Sequence, residues 1–230
     1  MNLIALETSS RLISVALWRD GKIIERSHDH PNAGSELILP WVRELLAESG
    51  IALSSLDGIA FGSGPGGFTG LRLACGVAQG LAFGADLPVV GVGSLEALAL
   101  ASGEQHVYAC IDARMNEVYA AAYAIVDDQP VEMLAPAVTP PASVPLPEGG
   151  NWAGCGDGFL AYDQLLRQRL GDFLDSAHPL VMPTAAAVAR LAAPRFARGE
   201  GTAAMHAAPL YVRDKVAFTT VERLARGGAK

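Results

Sequence analysis

The chain has 230 residues, of which 50% are hydrophobic and 18% charged, with 17 Lys and Arg against 24 Asp and Glu for a net charge of −7. That composition excludes a disordered or heavily solvated chain, which needs fewer apolar residues and more charge, and it lacks the basic excess of a nucleic-acid binder. A membrane span is excluded too: the longest uncharged run, 133–147, is 15 residues with five prolines, short of the ~18–20 apolar residues a spanning helix needs.

The length suits one large domain or two small ones. Residues 1–6 have no basic start and Glu7 ends the apolar opening, so no signal peptide is expected and the chain is read as cytoplasmic. Cys75, Cys110 and Cys155 show no CxxC spacing, which points to free thiols in a reducing compartment rather than to disulfides or zinc. The basic stretches 190–198 and 223–230 read as solvated faces. The apolar surplus therefore belongs in a core or against another protein.

In chain order, 3–6 and 12–18 read as strands, Asp20-Gly21 as a hairpin turn, and 22–26 as the returning strand. Apolar residues at spacings of three and four predict a helix over 35–49, stopped by Gly50 and kinked at Pro40. A buried strand over 58–62, a glycine-rich loop and a helix over 70–84 with Thr69 as its N-cap follow. A strand over 88–93 and a helix to 102 capped by Ser94 complete the first half. Hairpin strands followed by helix–strand crossovers make a mixed sheet, the ribonuclease-H-like order. The second half opens alike, with strands over 106–112 and 117–125 and a short one at 131–134. After it come a proline-rich exposed loop over 136–147, a strand at 152–155, a helix over 159–170, a helix from Thr184 to about 198, and a strand-like piece at 210–212. The expected organisation is a duplicated α/β fold divided near Gly103. Residues 1–103 form the first subdomain and 104–230 a shortened second one whose tail packs back on the first.

Four features bear on chemistry. Glu7-Thr8-Ser9-Ser10, between the first two strands, places an acid and hydroxyls where a phosphate and metal could sit; side-chain turn bonds explain Thr8 and Ser9 equally well. The loop 62–70 has five glycines in nine residues, which suits either an anion-binding nest at a helix start or a tight structural turn. No lysine occurs between Lys22 and Lys215, so this is not a Walker loop. The candidate phosphate site is Glu7, Thr8, Ser9, Gly64, Gly66 and Gly67. His28 and His30 lie on one side of an extended chain, but no HExxH, HxxxH or GxSxG occurs, and no catalytic set or metal site is assigned.

The fourth feature is the helix 71–83, in which only Arg72 and Gln79 are polar. A helix with one face in water should carry a broad polar stripe. Gly76 and Gly80 leave a groove where another helix can approach. The expected interface comprises Leu37, Trp41, Leu45, Leu71, Ala74, Cys75, Ala78, Leu81 and Ala82, the alternative being burial inside the chain.

Together, Ala5-Leu6-Glu7-Thr8-Ser9, Ile38-Leu39-Pro40, Gly64-Pro65-Gly66-Gly67-Phe68-Thr69-Gly70-Leu71-Arg72, Gly76-Val77-Ala78-Gln79-Gly80-Leu81, Asp112-Ala113-Arg114-Met115-Asn116-Glu117-Val118-Tyr119 and Pro209-Leu210-Tyr211-Val212-Arg213 resemble the TsaB (YeaZ) family. The resemblance implies an actin-like/Hsp70-like ATPase superfamily (ASKHA) fold of two ribonuclease-H-like subdomains. It also implies a non-catalytic subunit of the bacterial tRNA threonylcarbamoyladenosine machinery, which modifies the adenosine next to the anticodon. The implied partners are a catalytic TsaD-like paralogue and a TsaE-like ATPase, with a homodimer when alone and tRNA met mainly through the complex. No intrinsic cofactor or metal is implied; ATP or ADP is expected at the partner interface. Glu7 replaces the family's commoner Asp, and Gly34 stands where many members have His. The alternatives are a nucleotide-binding ATPase or kinase using Glu7, Thr8 and the glycine loop, and a metallopeptidase, the older glycoprotease reading of the family.

Overall fold

In a computed structural model, which describes residues 1–29 and 34–212, the Asp20-Gly21 turn joins β2 (Leu12–Arg19) to β3 (Lys22–Asp29). Both turn residues take positive φ, 49° and 84°, the backbone that matches the twist of a two-residue hairpin. With β1 (Asn2–Glu7), β4 (Gly58–Gly64) and β5 (Val89–Gly93) they form a five-stranded sheet in the order β3-β2-β1-β4-β5. The helices of this half are α1 (Gly34–Ser49), α2 (Phe68–Ala85) and α3 (Ser94–Ser102).

The second sheet repeats the plan. It contains β6 (His106–Arg114), β7 (Glu117–Val126), β8 (Gln129–Thr139), β9 (Trp152–Cys155) and β10 (Leu174–His178). Its order is β10-β9-β6-β7-β8, the first sheet's order read from the other edge. In both sheets the first three strands pair antiparallel and the other two join parallel. Two ribonuclease-H-like units in tandem make this the ASKHA fold. The shortening falls between β8 and β9, where a single 3₁₀ turn, Pro141–Ser143, stands in place of α1.

Five local expectations are corrected. Segment 136–147 is not wholly loop, since β8 runs to Thr139; it is an edge strand, where Pro130 and Pro136 are tolerated. The helix over 159–170 is two, α4 (Gly158–Ala161) and α5 (Asp163–Leu170), broken at Tyr162. Strand β10 is short, polar and half-buried, and leaves no apolar pattern to read. The residues preceding α2 and α3 are Gly67 and Gly93, so Thr69 and Ser94 lie inside the first turns instead of capping them. Residues 210–212 form no strand; Leu210 N–H donates to Ser63 O at 2.7 Å.

Alternation along β1 sorts the core. Ile4 and Leu6 join Val15, Leu17, Ile59 and Phe61 against α1 and α2. Ala5, on the opposite face, joins Ala16, Ala60 and Val90 against α6 (Ala185–Ala197). Small residues on both surfaces let this alanine-rich helix lie close to the sheet. The last helix of each half packs on the other half's sheet as well: Leu95, Leu98 and Ala99 of α3 meet Val107, Ala109 and Ile111 of β6. This exchange ties the two sheets into one body. Thr184 caps α6, accepting from Ala187 N–H at 3.1 Å, while Ser14 Oγ and Glu25 Oε1 accept from Ala185 N–H at 2.7 Å and Ala186 N–H at 2.8 Å. Side chains of the first half thus satisfy amide donors that a helix N-terminus leaves open.

Candidate functional site

The β1–β2 hairpin and the glycine loop meet as the sequence suggested, but they meet each other. Gly67 N–H donates to Ser9 O at 2.7 Å, and Thr8 Oγ1 donates to Gly70 O at 2.6 Å. A β-carbon on Gly66 would stand 2.6 Å from Ser9 O, and one on Gly70 would overlap Thr8 O. The glycines are therefore required by close backbone approach. Glu7 is 0% exposed and lies against Gly62, accepting from Ser9 N–H at 2.5 Å and weakly from Ser94 Oγ at 3.4 Å. Burial raises its pKa, with the Ser9 bonds opposing. Of the six candidate phosphate residues, Glu7 is turned into the core and the Gly67 amide is already bonded. Thr8, Ser9, Gly66 and Gly67 also line the open space between the two halves.

Beside the loop, a cleft of about 1050 Å³ separates the two halves. The Asp112–Glu117 turn forms its far wall. Arg114, Met115 and Asn116 take φ of 59°, 57° and 61°, a left-handed run braced by Asp112 Oδ1 accepting from Arg114 N–H at 2.8 Å. Asp157 Oδ1 accepts from Asp112 N–H at 2.9 Å, and burial raises the Asp157 pKa. Each guanidinium here is matched: Arg11 pairs with Asp29 at 2.6 Å and Arg114 with Asp112 at 3.0 Å. Among the described residues, both guanidinium groups of the cleft are thus paired with carboxylates. Arg11, Asp29 and Asp157 come from separate elements, and no local pattern marks them as neighbours.

The α2 face requires the largest correction. Six of the nine expected interface residues, Leu45, Leu71, Ala74, Cys75, Ala78 and Ala82, are buried; five of them lie with α1 against the first sheet. Leu37, Trp41 and Leu81 are half-buried. The helix is apolar nearly all round, so its sequence does not distinguish the stripe that faces the sheet. The two polar residues hold the chain's own C-terminal segment: Gln79 Nε2 donates to Ala207 O at 3.0 Å and Arg72 Nε to Tyr211 Oη at 3.2 Å. Arg72 also stacks 3.5 Å over the Phe68 ring. The open stripe is Gly76, Gly80, Phe83 and Gly84, flanked by the half-buried Leu73 and Val77. Phe83 is 83% exposed, and β-carbons on Gly76, Gly80 and Gly84 would meet nothing within 4 Å.

All three cysteines are free and buried. Among the described residues no group of three or more His, Cys, Asp and Glu is placed to hold a metal, and no helix is long and apolar enough to cross a membrane. His30, Arg213 and the basic stretch 223–230 lie outside the described residues.

Comparison with known proteins follows the same lines. A family model described as TsaD, tRNA N6-adenosine threonylcarbamoyltransferase, matches residues 29–218. The tRNA threonylcarbamoyladenosine biosynthesis protein TsaB of Escherichia coli K12 is 36% identical over 228 residues, covering 95% of this chain and 97% of its own length. Its Haemophilus influenzae counterpart is 35% identical over 234 residues, covering 95% and 96%. Among solved structures, YeaZ from Pseudomonas aeruginosa has a TM-score of 0.85 at 40% identity, over 91% of this chain and 99% of that one.

Proposed function

This chain belongs to the TsaB family, and from that premise we propose that it acts in tRNA threonylcarbamoyladenosine biosynthesis as a non-catalytic subunit, paired with a TsaD-like transferase through the open face of α2. The observation that carries the reading is the stripe Gly76, Gly80, Gly84 with Phe83 beside it, uncovered in the single chain. Each exposed helical glycine costs about 1 kcal/mol relative to alanine. A helix seated in the groove reaches the α2 backbone closely and covers Phe83, which offsets that cost.

The match of the TsaD model to residues 29–218 supports the choice of partner. A paralogue of the same fold presents an equivalent helix, so the two pair quasi-symmetrically, and two copies of this chain pair through the same face when the paralogue is absent. The buried Glu7 and the bonded glycine loop support a supporting role over intrinsic phosphate chemistry. A TsaE-like ATPase then joins the pair, nucleotide binds at the shared interface rather than in this chain alone, and tRNA is met mainly through the complex. Size-exclusion chromatography of the chain with a TsaD-like paralogue tests the pairing. A heterodimer lost in Phe83→Asp is expected, and an unchanged complex contradicts it.

A further inference from the structure

Edge strand β5 is covered by the segment that follows α6. Val89 and Thr202 exchange backbone hydrogen bonds of 2.8 and 2.9 Å, and Leu210 N–H donates to Ser63 O at 2.7 Å. The chain between Thr202 and Leu210 is thus pinned at both ends. Beneath it, between β5, the start of α3 and β8, lies a pocket of about 540 Å³, within the ~300–1000 Å³ range of small-molecule sites. Phe61, Val89 and Leu95 supply apolar walls.

One buried polar group faces this space. Tyr123 is 1% exposed and lines the pocket. Its hydroxyl has no hydrogen-bond partner among the described residues, whereas the other fully buried tyrosine, Tyr108, donates to Pro145 O at 2.8 Å. Glu132 sits directly across from Tyr123 in the β7–β8 ladder and has no ion pair among the described residues. Glu96 closes the other side, but Arg195 neutralises it at 2.9 Å. Burial, and then the Glu96 and Glu132 charges, raise the Tyr123 pKa, so the phenol stays protonated. The pocket therefore combines apolar walls, one unbonded hydroxyl and one unmatched negative charge.

We propose that this pocket binds a small organic monocation, a primary ammonium on an apolar body. The ammonium lies between Glu132 and the Tyr123 hydroxyl, and the body rests on Phe61, Val89 and Leu95. The site is independent of the α2 face and of the inter-sheet cleft, although Pro65 and Leu210 border both cavities.

Calorimetric titration of the full chain with 2-phenylethylammonium, against neutral 2-phenylethanol, tests the assignment. Saturable one-to-one binding is expected, with the cation preferred at least about fivefold. Glu132→Gln and Tyr123→Phe are each expected to weaken it at least about fivefold, with unchanged circular dichroism. Glu132 is exposed, so its variant reads the charge without disturbing the fold. Equal affinity for the alcohol, binding untouched in both variants, or no saturable binding of either probe overturns the proposal.

Discussion

Thr8 grips Gly70 from two sides: its hydroxyl donates to the Gly70 carbonyl at 2.6 Å, and its own carbonyl oxygen fills the space a β-carbon on Gly70 would need. The first turn of α2 is thereby clamped to the β1–β2 hairpin. A motif that looks like a phosphate cradle serves here to seat a helix whose outer face stays open.

That clamp predicts opposite outcomes for one substitution at two places. Gly80→Ala meets nothing within 4 Å and should stabilise the single chain by up to about 1 kcal/mol, the usual helical gain. Gly70→Ala must displace backbone and should destabilise by about 1–3 kcal/mol as overpacking does. Denaturant midpoints of the two variants measure the contrast, and equal effects contradict it.

The two sides of α2 should separate stability from pairing. Ala78 is 0% exposed in the core, so Ala78→Asp buries an unpaired charge and should unfold the chain or cost at least about 3 kcal/mol. Phe83→Asp should leave the thermal midpoint nearly unchanged, since surface changes fall within about ±0.5 kcal/mol, while abolishing the heterodimer. Thermal unfolding and size-exclusion chromatography together distinguish the two. A folded, monomeric Ala78→Asp chain contradicts the assignment of faces.

Glu7 predicts a pH dependence. Burial raises its folded pKa above the ordinary 4.5, so the folded chain holds its proton after the unfolded chain has released it. Its contribution is therefore full below pH 4.5 and declines as pH rises toward the folded pKa. Glu7→Gln keeps the shape and removes the titration. The variant should gain on the native chain as pH rises through that window, and parallel stability curves from pH 4 to 8 contradict the prediction.

Ser14 tests the joint between the halves. Its hydroxyl accepts from Ala185 N–H in a buried setting, so Ser14→Ala leaves a buried donor unpaired and should cost about 1–3 kcal/mol. Protection of α6 amides against hydrogen exchange should fall with it. Unchanged α6 protection contradicts the role.

Much of the fold was legible because its signals are local. Asp20-Gly21 marks a hairpin, Thr184 precedes an apolar period, and Ile4 and Leu6 alternate with small residues. What escaped depends on distant partners. The short, polar β10 is held by β9, and the prolines of β8 are permitted only because it is an edge. The candidate site divided along the same line. The glycine loop and the acid before it are visible in sequence, yet whether their amides and carboxylate face a ligand or each other is decided by the contact of Ser9 with Gly67. Likewise a helix apolar all round does not show which stripe is buried in the chain's own core and which stays exposed. Gly76 and Gly80 mark the exposed stripe, since a β-carbon on either would meet nothing within 4 Å.

The most direct measurement is nucleoside analysis of tRNA from cells in which this chain is replaced by Phe83→Asp, beside cells with the native chain and cells depleted of it. The account predicts that threonylcarbamoyladenosine is lost on depletion, restored by the native chain, and not restored by the variant although it accumulates as folded protein. Full modification in the depleted cells, or full restoration by the variant, would contradict it.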